Sequence, residues 1–184
     1  MKTIDILNEL NQLSLNDSIM KKDLMEILKT YAGMISVYDL MLASAYIRND
    51  GRYIQGQYRE NYIETYIKQF IIRMNEVSES NNYGHDEMID KKEFIDALPR
   101  IEKTLKKDME GAPKDKKLQL IYAIISLYTT FVLEEPIHPV GSLFPGNKRI
   151  EKIDGEYFCP VKDNQKDNED AVCHLCIAKQ SPDV

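Results

Sequence analysis

The sequence predicts an all-α fold, in which about six helices form a bundle around one buried central helix and an irregular C-terminal tail follows. Apolar residues recur at helical spacing through most of residues 1–134. Residues 115–133 are apolar on nearly every side, as expected of a helix that others surround. Proline and glycine become frequent from residue 135 onwards, which excludes long helices there. We therefore expect a single domain, 1–184, with a helical body at 1–134 and a tail at 135–184 packed on it.

The first three predicted helices are short and have recognisable ends. Asn16 or Asp17 is a suitable N-cap for the second helix, and Gly33 closes it. Ser36 and Asp39 form a variant of the capping box that opens the third helix. The apolar positions of the first helix are Ile4, Leu7, Leu10 and Leu13, and those of the third are Leu40, Met41, Ala45 and Tyr46.

The fourth and fifth predicted helices carry the clearest apolar stripes. In the fourth, ring side chains step by four residues beside an aliphatic row, a pattern typical of core packing rather than of a stacking platform. These positions are Tyr58, Tyr62, Tyr66 and Phe70, then Ile63, Ile67, Ile71 and Met74. In the fifth they are Phe94, Leu98, Ile101, Leu105 and Met109. Pro99 lies inside that pattern, so we expect a kink or a restart there.

The sixth helix is predicted to be the central one, with Asp115 as its N-cap and its end near Leu133. In the tail, residues 149–153 and 156–159 flank Asp154-Gly155, a pair typical of a two-residue type I′ hairpin turn. A last short helix is expected at 169–180.

Composition restricts the classes of function. The chain has 184 residues and a net charge of -6, so it lacks the excess of cations that phosphate-backbone binding needs, and nucleic acid is an unfavourable partner. No run is apolar and long enough to cross a bilayer, so no membrane association is expected. The N-terminal residues do not resemble a secretory signal, and three cysteines do not form a secreted disulfide framework, so a cytoplasmic location is expected. Eight Met and eleven Tyr leave a homo-oligomer open.

The tail contains a candidate metal site. Cys173 and Cys176 form a Cys-x-x-Cys turn, and Cys159 precedes them, a pattern in which a turn and a separate hairpin supply zinc ligands. His138 is the candidate fourth ligand, although His174 inside the turn is an alternative. Three other interpretations stay open: buried thiols that only pack, a thiol redox pair, or an iron-sulfur cluster.

Glu134 and Glu135 form a second candidate polar site at the predicted end of the central helix. Two carboxylates there face the negative end of the helix dipole, so a cation is expected nearby. That cation is a metal ion, a cationic substrate, or a side chain such as Lys148 or Arg149. The catalytic motifs of serine hydrolases, P-loop proteins and zinc proteases are missing from the sequence.

Three segments of the tail carry a resemblance to a known family: His138-Pro-Val-Gly-Ser-Leu-Phe-Pro-Gly146, Tyr157-Phe-Cys-Pro-Val-Lys-Asp-Asn-Gln-Lys-Asp-Asn168 and Cys173-His-Leu-Cys176. They are similar to an archaeal family, found chiefly in methanogens, known as uncharacterised protein family 0305 and domain-of-unknown-function family 2115. The resemblance covers roughly the last 50 residues specifically and the helical part loosely. It implies a cytoplasmic archaeal protein with a helical fold, in an anaerobic setting where thiols stay reduced.

Two classes of function follow. The first is a non-enzymatic binding or regulatory module whose tail is locked by one zinc ion. The second is a small enzyme that uses that metal, or Glu134 and Glu135 with His138 as acid and base. A closed shell of four protein ligands favours the first, and an open fourth position favours the second.

Overall fold

A computed structural model of the chain describes residues 4–50, 59–79, 86–108, 116–144, 146–167 and 171–182. Within those ranges the α-helices are α1 (Ile4–Ser14), α2 (Lys21–Ala32), α3 (Val37–Asp50), α4 (Arg59–Glu79), α5 (Lys91–Lys106) and α6 (Lys117–Leu127). A π-helical turn, Tyr128–Leu133, continues α6 without a break.

In the described ranges three small sheets accompany the helices, so the prediction of an all-α fold is wrong and the fold is mixed α/β. The strands are β1 (Ile19–Met20) with β2 (Met88–Ile89), β3 (Leu143–Phe144) with β4 (Lys148–Arg149), and β5 (Glu151–Ile153) with β6 (Glu156–Cys159) and β7 (Lys179–Gln180). These strands have two to four residues, too few for alternation of apolar and polar residues to appear. The pair β1–β2 also joins residues 19 and 89, a distance along the chain that local pattern does not reveal.

The helical core is built around α6, as predicted. α6 contacts α2, α3, α4 and α5, while α1 packs on α2 and α5. Even its polar residues Gln119 and Ser126 are buried, at 1% and 3% exposed. Its buried apolar residues are Leu118, Leu120, Ile121, Ala123, Ile124, Ile125 and Leu127. A helix buried on all sides fits the uninterrupted apolar composition of this segment.

The predicted helix starts were partly right. At α3, the amide of Asp39 donates to Ser36 Oγ at 3.2 Å, and Ser36 N donates to an Asp39 carboxylate oxygen at 2.8 Å, which confirms the capping box. At α2, Met20 occupies the N-cap position without a side-chain hydrogen bond, so the prediction of Asn16 or Asp17 is wrong. β1 lies between those residues and the helix, and the Asn16 carbonyl instead accepts from Lys91 Nζ at 2.6 Å.

The structure corrects two predictions, one about the buried face of α3 and one about the course of α5 at Pro99. In α3 the buried residues are Ala43 and Ile47, whereas Met41 is 64% exposed, so the predicted apolar face is rotated. In α5 the helix continues through Pro99 without the predicted restart. Pro99 lies on the exposed face, where water can bond the carbonyl that a proline leaves unpaired.

Several predicted positions lie outside the described residues, among them Tyr58, the Tyr62 side chain, Met109 and Asp115. Lys116, the first residue of the described range 116–144, adopts the left-handed conformation at φ 63° and precedes α6, and it makes no side-chain capping bond. The stripes that can be followed are confirmed: Leu7, Leu10 and Leu13 in α1, and Ile63, Ile67, Phe70 and Met74 in α4, are all buried.

The tail hairpin is confirmed and the last predicted helix is wrong. Ile153 pairs with Glu156, and the turn residues Asp154 and Gly155 both have positive φ, 51° and 87°, as a type I′ turn requires. Of the predicted helix at 169–180 the structure describes residues 171–180, which form a 3₁₀ turn (Val172–His174) and then β7, which pairs parallel with β6. β7 forms because the free edge of β6 offers backbone hydrogen-bond partners, and the sequence near β7 gives no sign of that edge.

Candidate functional site

Cys159 lies at the end of β6 in a small core that belongs to the tail. Its residue is 6% exposed, and it pairs across the sheet with Gln180 of β7. The Ser181 amide donates to the Cys159 carbonyl at 3.0 Å. The other buried members of this tail cluster are Phe144, Ile150 and Ala178.

The turn after Cys159 directs backbone amides at its sulfur. Burial raises the pKa of the Cys159 thiol, and the backbone N–H groups of Val161 and Lys162 offset only part of that rise. The Gln180 side chain holds this turn at both ends, because its carbonyl oxygen accepts from Asp163 N at 2.8 Å and its amide nitrogen donates to Pro160 O at 3.4 Å.

The Cys173–Cys176 turn is fastened to three other parts of the molecule. Arg100 of α5 donates to His174 O at 3.0 Å, and the Thr130 hydroxyl of the π-helical turn donates to Leu175 O at 2.9 Å. Lys162 Nζ donates to Cys176 O at 2.6 Å. The Leu175 side chain is buried in the helical core, so this turn is docked by an apolar anchor and by three carbonyl bonds.

The three thiols lie within electrostatic reach of one another and are all free of disulfides. Cys176 packs against the tail cluster that contains Cys159. Burial raises the pKa of the Cys159 and Cys173 thiols, neighbouring thiolates add to the effect, and the Lys162 ammonium opposes it. In the absence of a bound metal cation, the Cys159 and Cys173 thiols are therefore protonated at neutral pH. In the part of the chain that is described, no three His, Cys, Asp or Glu side chains are already arranged to hold a metal ion.

His138 packs against Phe144, a member of the tail cluster. Its ring stacks on Tyr66 of α4 with centroids 5.2 Å apart, and it meets the Phe144 ring edge-on at 5.6 Å. Phe144 in turn belongs to the cluster that contains Cys159. Burial lowers the pKa of His138 to about 4, so its imidazole is neutral at pH 7 and one of its two ring nitrogens has a lone pair that can bind a metal.

Glu134 and Glu135 are engaged by cations from the helical body. Glu134, in the left-handed conformation at φ 54°, pairs with Lys21 Nζ at 2.8 Å, and the same ammonium pairs with Glu87 at 2.6 Å. Glu135 pairs with Arg73 of α4. The sequence correctly indicated that cations would lie here, but it pointed to Lys148 or Arg149 and missed both actual partners. Lys21 and Arg73 are remote in sequence, so no local signal marks them.

Lys21 is the better buried of these two cations, with 6% of its side chain exposed. Burial by itself lowers its pKa, but hydrogen bonds and charges from Glu134 and Glu87 outweigh that effect and raise the pKa above its ordinary value. The pairs tie α2 and α4 to the segment that follows α6. We therefore see a structural clamp at the start of the tail.

A small cavity lies beside the clamp, between α4 and α6. Its volume of about 10 Å³ gives room for about one water molecule. Its lining residues include Tyr66, Gln69, Arg73, Tyr122, Ser126 and Ile137. Tyr66, which lines this cavity, also stacks on the ring of His138.

Comparison with known proteins places the chain among archaeal relatives. A family model described as "Uncharacterized protein conserved in archaea (DUF2115)" matches residues 20–181. A UPF0305 protein of Methanothermobacter thermautotrophicus is 35% identical over 163 residues, which cover 88% of this chain and 96% of the relative. A UPF0305 protein of Methanocaldococcus jannaschii is 33% identical over 159 residues, covering 86% and 94%. No solved structure matches the chain. Among the described residues, none of the helices has the length and apolar character needed to span a membrane.

Proposed function

The chain belongs to the archaeal DUF2115 family, and we propose that it is a non-enzymatic binding or regulatory protein whose tail is locked by a structural zinc ion on Cys159, Cys173 and Cys176. We place it in the cytoplasm, where thiols stay reduced. The observation that carries the proposal is the packing of Cys176 against the tail cluster that contains Cys159, because it brings the hairpin cysteine and the Cys173–Cys176 turn to the same small core.

The arrangement suits tetrahedral coordination by two separate segments. Cys159 comes from a hairpin and the other two cysteines from one tight turn, whose Cys176 amide donates to Cys173 O at 3.2 Å. Zinc sites are commonly built from such a pair of segments. His138, neutral and next to Phe144, is the proposed fourth ligand. Binding requires the ion to draw the sulfurs and the imidazole inward, and the protons released make the affinity depend on pH.

A structural role is favoured over an enzymatic one by the surroundings of Glu134 and Glu135. Both carboxylates are held in ion pairs, with Lys21 and Arg73 respectively. The cavity next to them has room for about one water molecule, far less than a substrate needs. These groups fit a clamp at the start of the tail better than an acid-base pair.

The test is metal analysis of protein purified without oxygen and without added metal. We expect close to one zinc per chain in the wild type, and loss of that zinc in the double variant Cys173→Ser, Cys176→Ser. Circular dichroism of both proteins controls for unfolding of the helices. Wild-type protein that contains no stoichiometric metal would contradict the proposal. Visible absorption together with bound iron would show that the site holds an iron-sulfur cluster instead of zinc. A reversible disulfide in metal-free protein would support a redox pair instead.

The fourth ligand is tested by cobalt substitution. Co²⁺ bound to three thiolates gives charge-transfer absorption, and its d–d bands respond to the fourth donor. His138→Ala should keep the charge-transfer bands and change the d–d bands if the imidazole is a ligand. Identical spectra in the wild type and in His138→Ala would remove His138 from the site and leave the three cysteines.

A further inference from the structure

We infer that the chain forms a symmetric dimer through the outer face of α3, with the two copies of this helix packed antiparallel. The inference concerns a surface of the helical body, so it does not depend on the zinc site proposed above. The outer face of α3 consists of six exposed residues: Val37, Tyr38, Met41, Ala45, Arg48 and Asn49.

The spacing of these residues makes one continuous strip along the helix. At about 100° per residue they occupy a sector of roughly 120°. The opposite side of α3 packs on α4 and α6, and Ala43 and Ile47 are buried there. A surface helix ordinarily places its large apolar residues towards the core. In α3, however, Val37, Tyr38 and Met41 are 75%, 67% and 64% exposed.

The apolar part of this face is large enough to form an interface. Val37, Tyr38 and Met41 together present roughly 400 Å² of surface, the size of the largest patch on a typical monomer. A two-fold axis uses the patch twice, so about 1,000 Å² is buried once the neighbouring residues are included. This area is at the lower limit for specific interfaces. We therefore expect a reversible dimer with a roughly micromolar dissociation constant.

The outer face of α3 is complementary to itself when two copies run antiparallel. With the two-fold axis level with Ala43, Met41 of one copy lies opposite Ala45 of the other, so a long side chain meets a short one. The same register places the Tyr38 ring beside the Arg48 guanidinium of the second copy, which is a cation–π pair. Each contact occurs twice, as an isologous interface requires. A second copy of the chain is therefore the partner that this face fits.

The charges of α3 also favour a second copy. Since the chain has a net charge of -6, two copies repel each other unless they meet through a surface without carboxylates. The Asp39 side chain is 13% exposed, accepts from Ser36 N at 2.8 Å and pairs with Lys117 at 3.5 Å. Among the described side chains of α3, the outer face therefore has one charged group, Arg48. The antiparallel arrangement keeps the two Arg48 side chains roughly 15 Å apart along the helix axis.

The experiment is analytical ultracentrifugation of the full, reduced chain at concentrations from roughly 1 μM to 1 mM. We expect the wild type to change from monomer to dimer across that range. Met41→Glu should raise the dissociation constant by roughly 100-fold or more, because it buries two unpaired carboxylates at the interface. Met88→Glu is the matched control and should dimerise like the wild type, since Met88 is 68% exposed and lies on β2.

A side-chain swap tests the antiparallel register. Met41→Ala removes the long side chain, and Ala45→Met places two long side chains opposite each other, so each should weaken the dimer by roughly 10-fold. The double variant Met41→Ala, Ala45→Met returns one long and one short side chain to each contact and should regain most of the affinity. Arg48→Gln, which removes the cation–π pair, should weaken the dimer by roughly 3- to 30-fold.

Three results would overturn the inference. A wild type that stays monomeric at every concentration leaves the outer face of α3 to a different protein. A dimer that Met41→Glu does not weaken is formed by another surface. A swap that restores no affinity excludes the antiparallel register. Circular dichroism at low concentration, where the chain is monomeric, controls for folding. If Met41→Glu loses helix, Tyr38→Glu takes its place, because Tyr38 is also exposed in the monomer.

Discussion

The helical body and the tail bury their side chains in very different ways. The main cluster takes buried residues from every helix from α1 to α6 and from the π-helical turn. The tail cluster, within the described residues, has four buried side chains: Phe144, Ile150, Cys159 and Ala178. A body with a core of that size folds on apolar burial, whereas a segment with so few buried groups needs additional constraints.

The tail obtains those constraints from contacts with the helical body. Ile137 and Leu175 insert into the main cluster, and Arg100 and Thr130 hold two carbonyls of the Cys173–Cys176 turn. The tail is therefore stabilised mainly by its contacts with the helices, unlike the helical body, which is stabilised by its own core. In our proposal a bound metal ion stabilises the tail further. The two regions should therefore respond differently to the same kind of substitution.

The largest effect is expected from a cavity in the helical core. Phe94 is fully buried and meets the Phe131 ring edge-on, with centroids 5.4 Å apart. Phe94→Ala should lower the free energy of unfolding by about 3–5 kcal/mol, and the body and tail should unfold together. Urea unfolding followed by circular dichroism measures it, with Tyr38→Ala as the control because Tyr38 is 67% exposed. A loss below about 1 kcal/mol would contradict the central place of this side chain.

Loss of the tail anchor should separate the two regions. Leu175 is 9% exposed and lies in the main cluster, so Leu175→Ala should cost about 2–4 kcal/mol, felt mainly in the docking of the tail. We expect limited proteolysis to cut within residues 135–182 while the helical circular dichroism persists. Leu15→Ala, at a residue 72% exposed, should leave the cleavage pattern unchanged. Simultaneous loss of helix and tail would mean that they form one cooperative unit.

The His138 side chain should make the metal-free protein sensitive to acid. Its pKa falls from the ordinary value of 6.5 to about 4 through burial, so between these values the unfolded chain binds a proton that the folded chain does not. The contribution of His138 to the free energy of unfolding is therefore fully present above pH 6.5. It decreases by roughly 1–3 kcal/mol as the pH falls towards 4. His138→Gln should flatten that slope. Thermal unfolding across the window measures it, and an unchanged slope would show that the ring is solvated.

The smallest effect is expected from a single anchoring hydrogen bond. Thr130→Val removes the hydroxyl that donates to Leu175 O and should cost about 0.5–1.5 kcal/mol. Hydrogen exchange of tail amides should rise while exchange in α6 stays slow. Thr104→Val is the matched control, because the Thr104 hydroxyl bonds a carbonyl of its own helix. Equal exchange in both variants would remove Thr130 from the tail contact.

Local sequence was sufficient wherever the determining interactions are local. The capping box of Ser36 and Asp39 closes within three residues, and the type I′ turn at Asp154-Gly155 depends on residues that tolerate positive φ. The burial of α6 followed from its composition alone. The grouping of Cys159, Cys173 and Cys176 as candidate ligands also came from spacing, and it remains a prediction.

Other features depend on partners that are far along the chain. β7 replaced a predicted helix because the edge of β6 was free to pair with it, and β1 formed because residues 88–89 lie beside it. The cations at Glu134 and Glu135, Lys21 and Arg73, come from α2 and α4 rather than from the neighbouring tail. The apolar face of α3 turned so that Ala43 and Ile47 are buried.

The sequence by itself determined the helical body, its central helix and the hairpin turn of the tail, because helical periodicity, capping and turn chemistry act over a few residues. The tertiary structure alone decided how the tail is attached: which carbonyls Arg100, Thr130 and Lys162 hold, and which ring faces His138. The reason is physical. Contacts between residues 14 to 74 positions apart are selected by the packing of the whole chain, and no short segment encodes them.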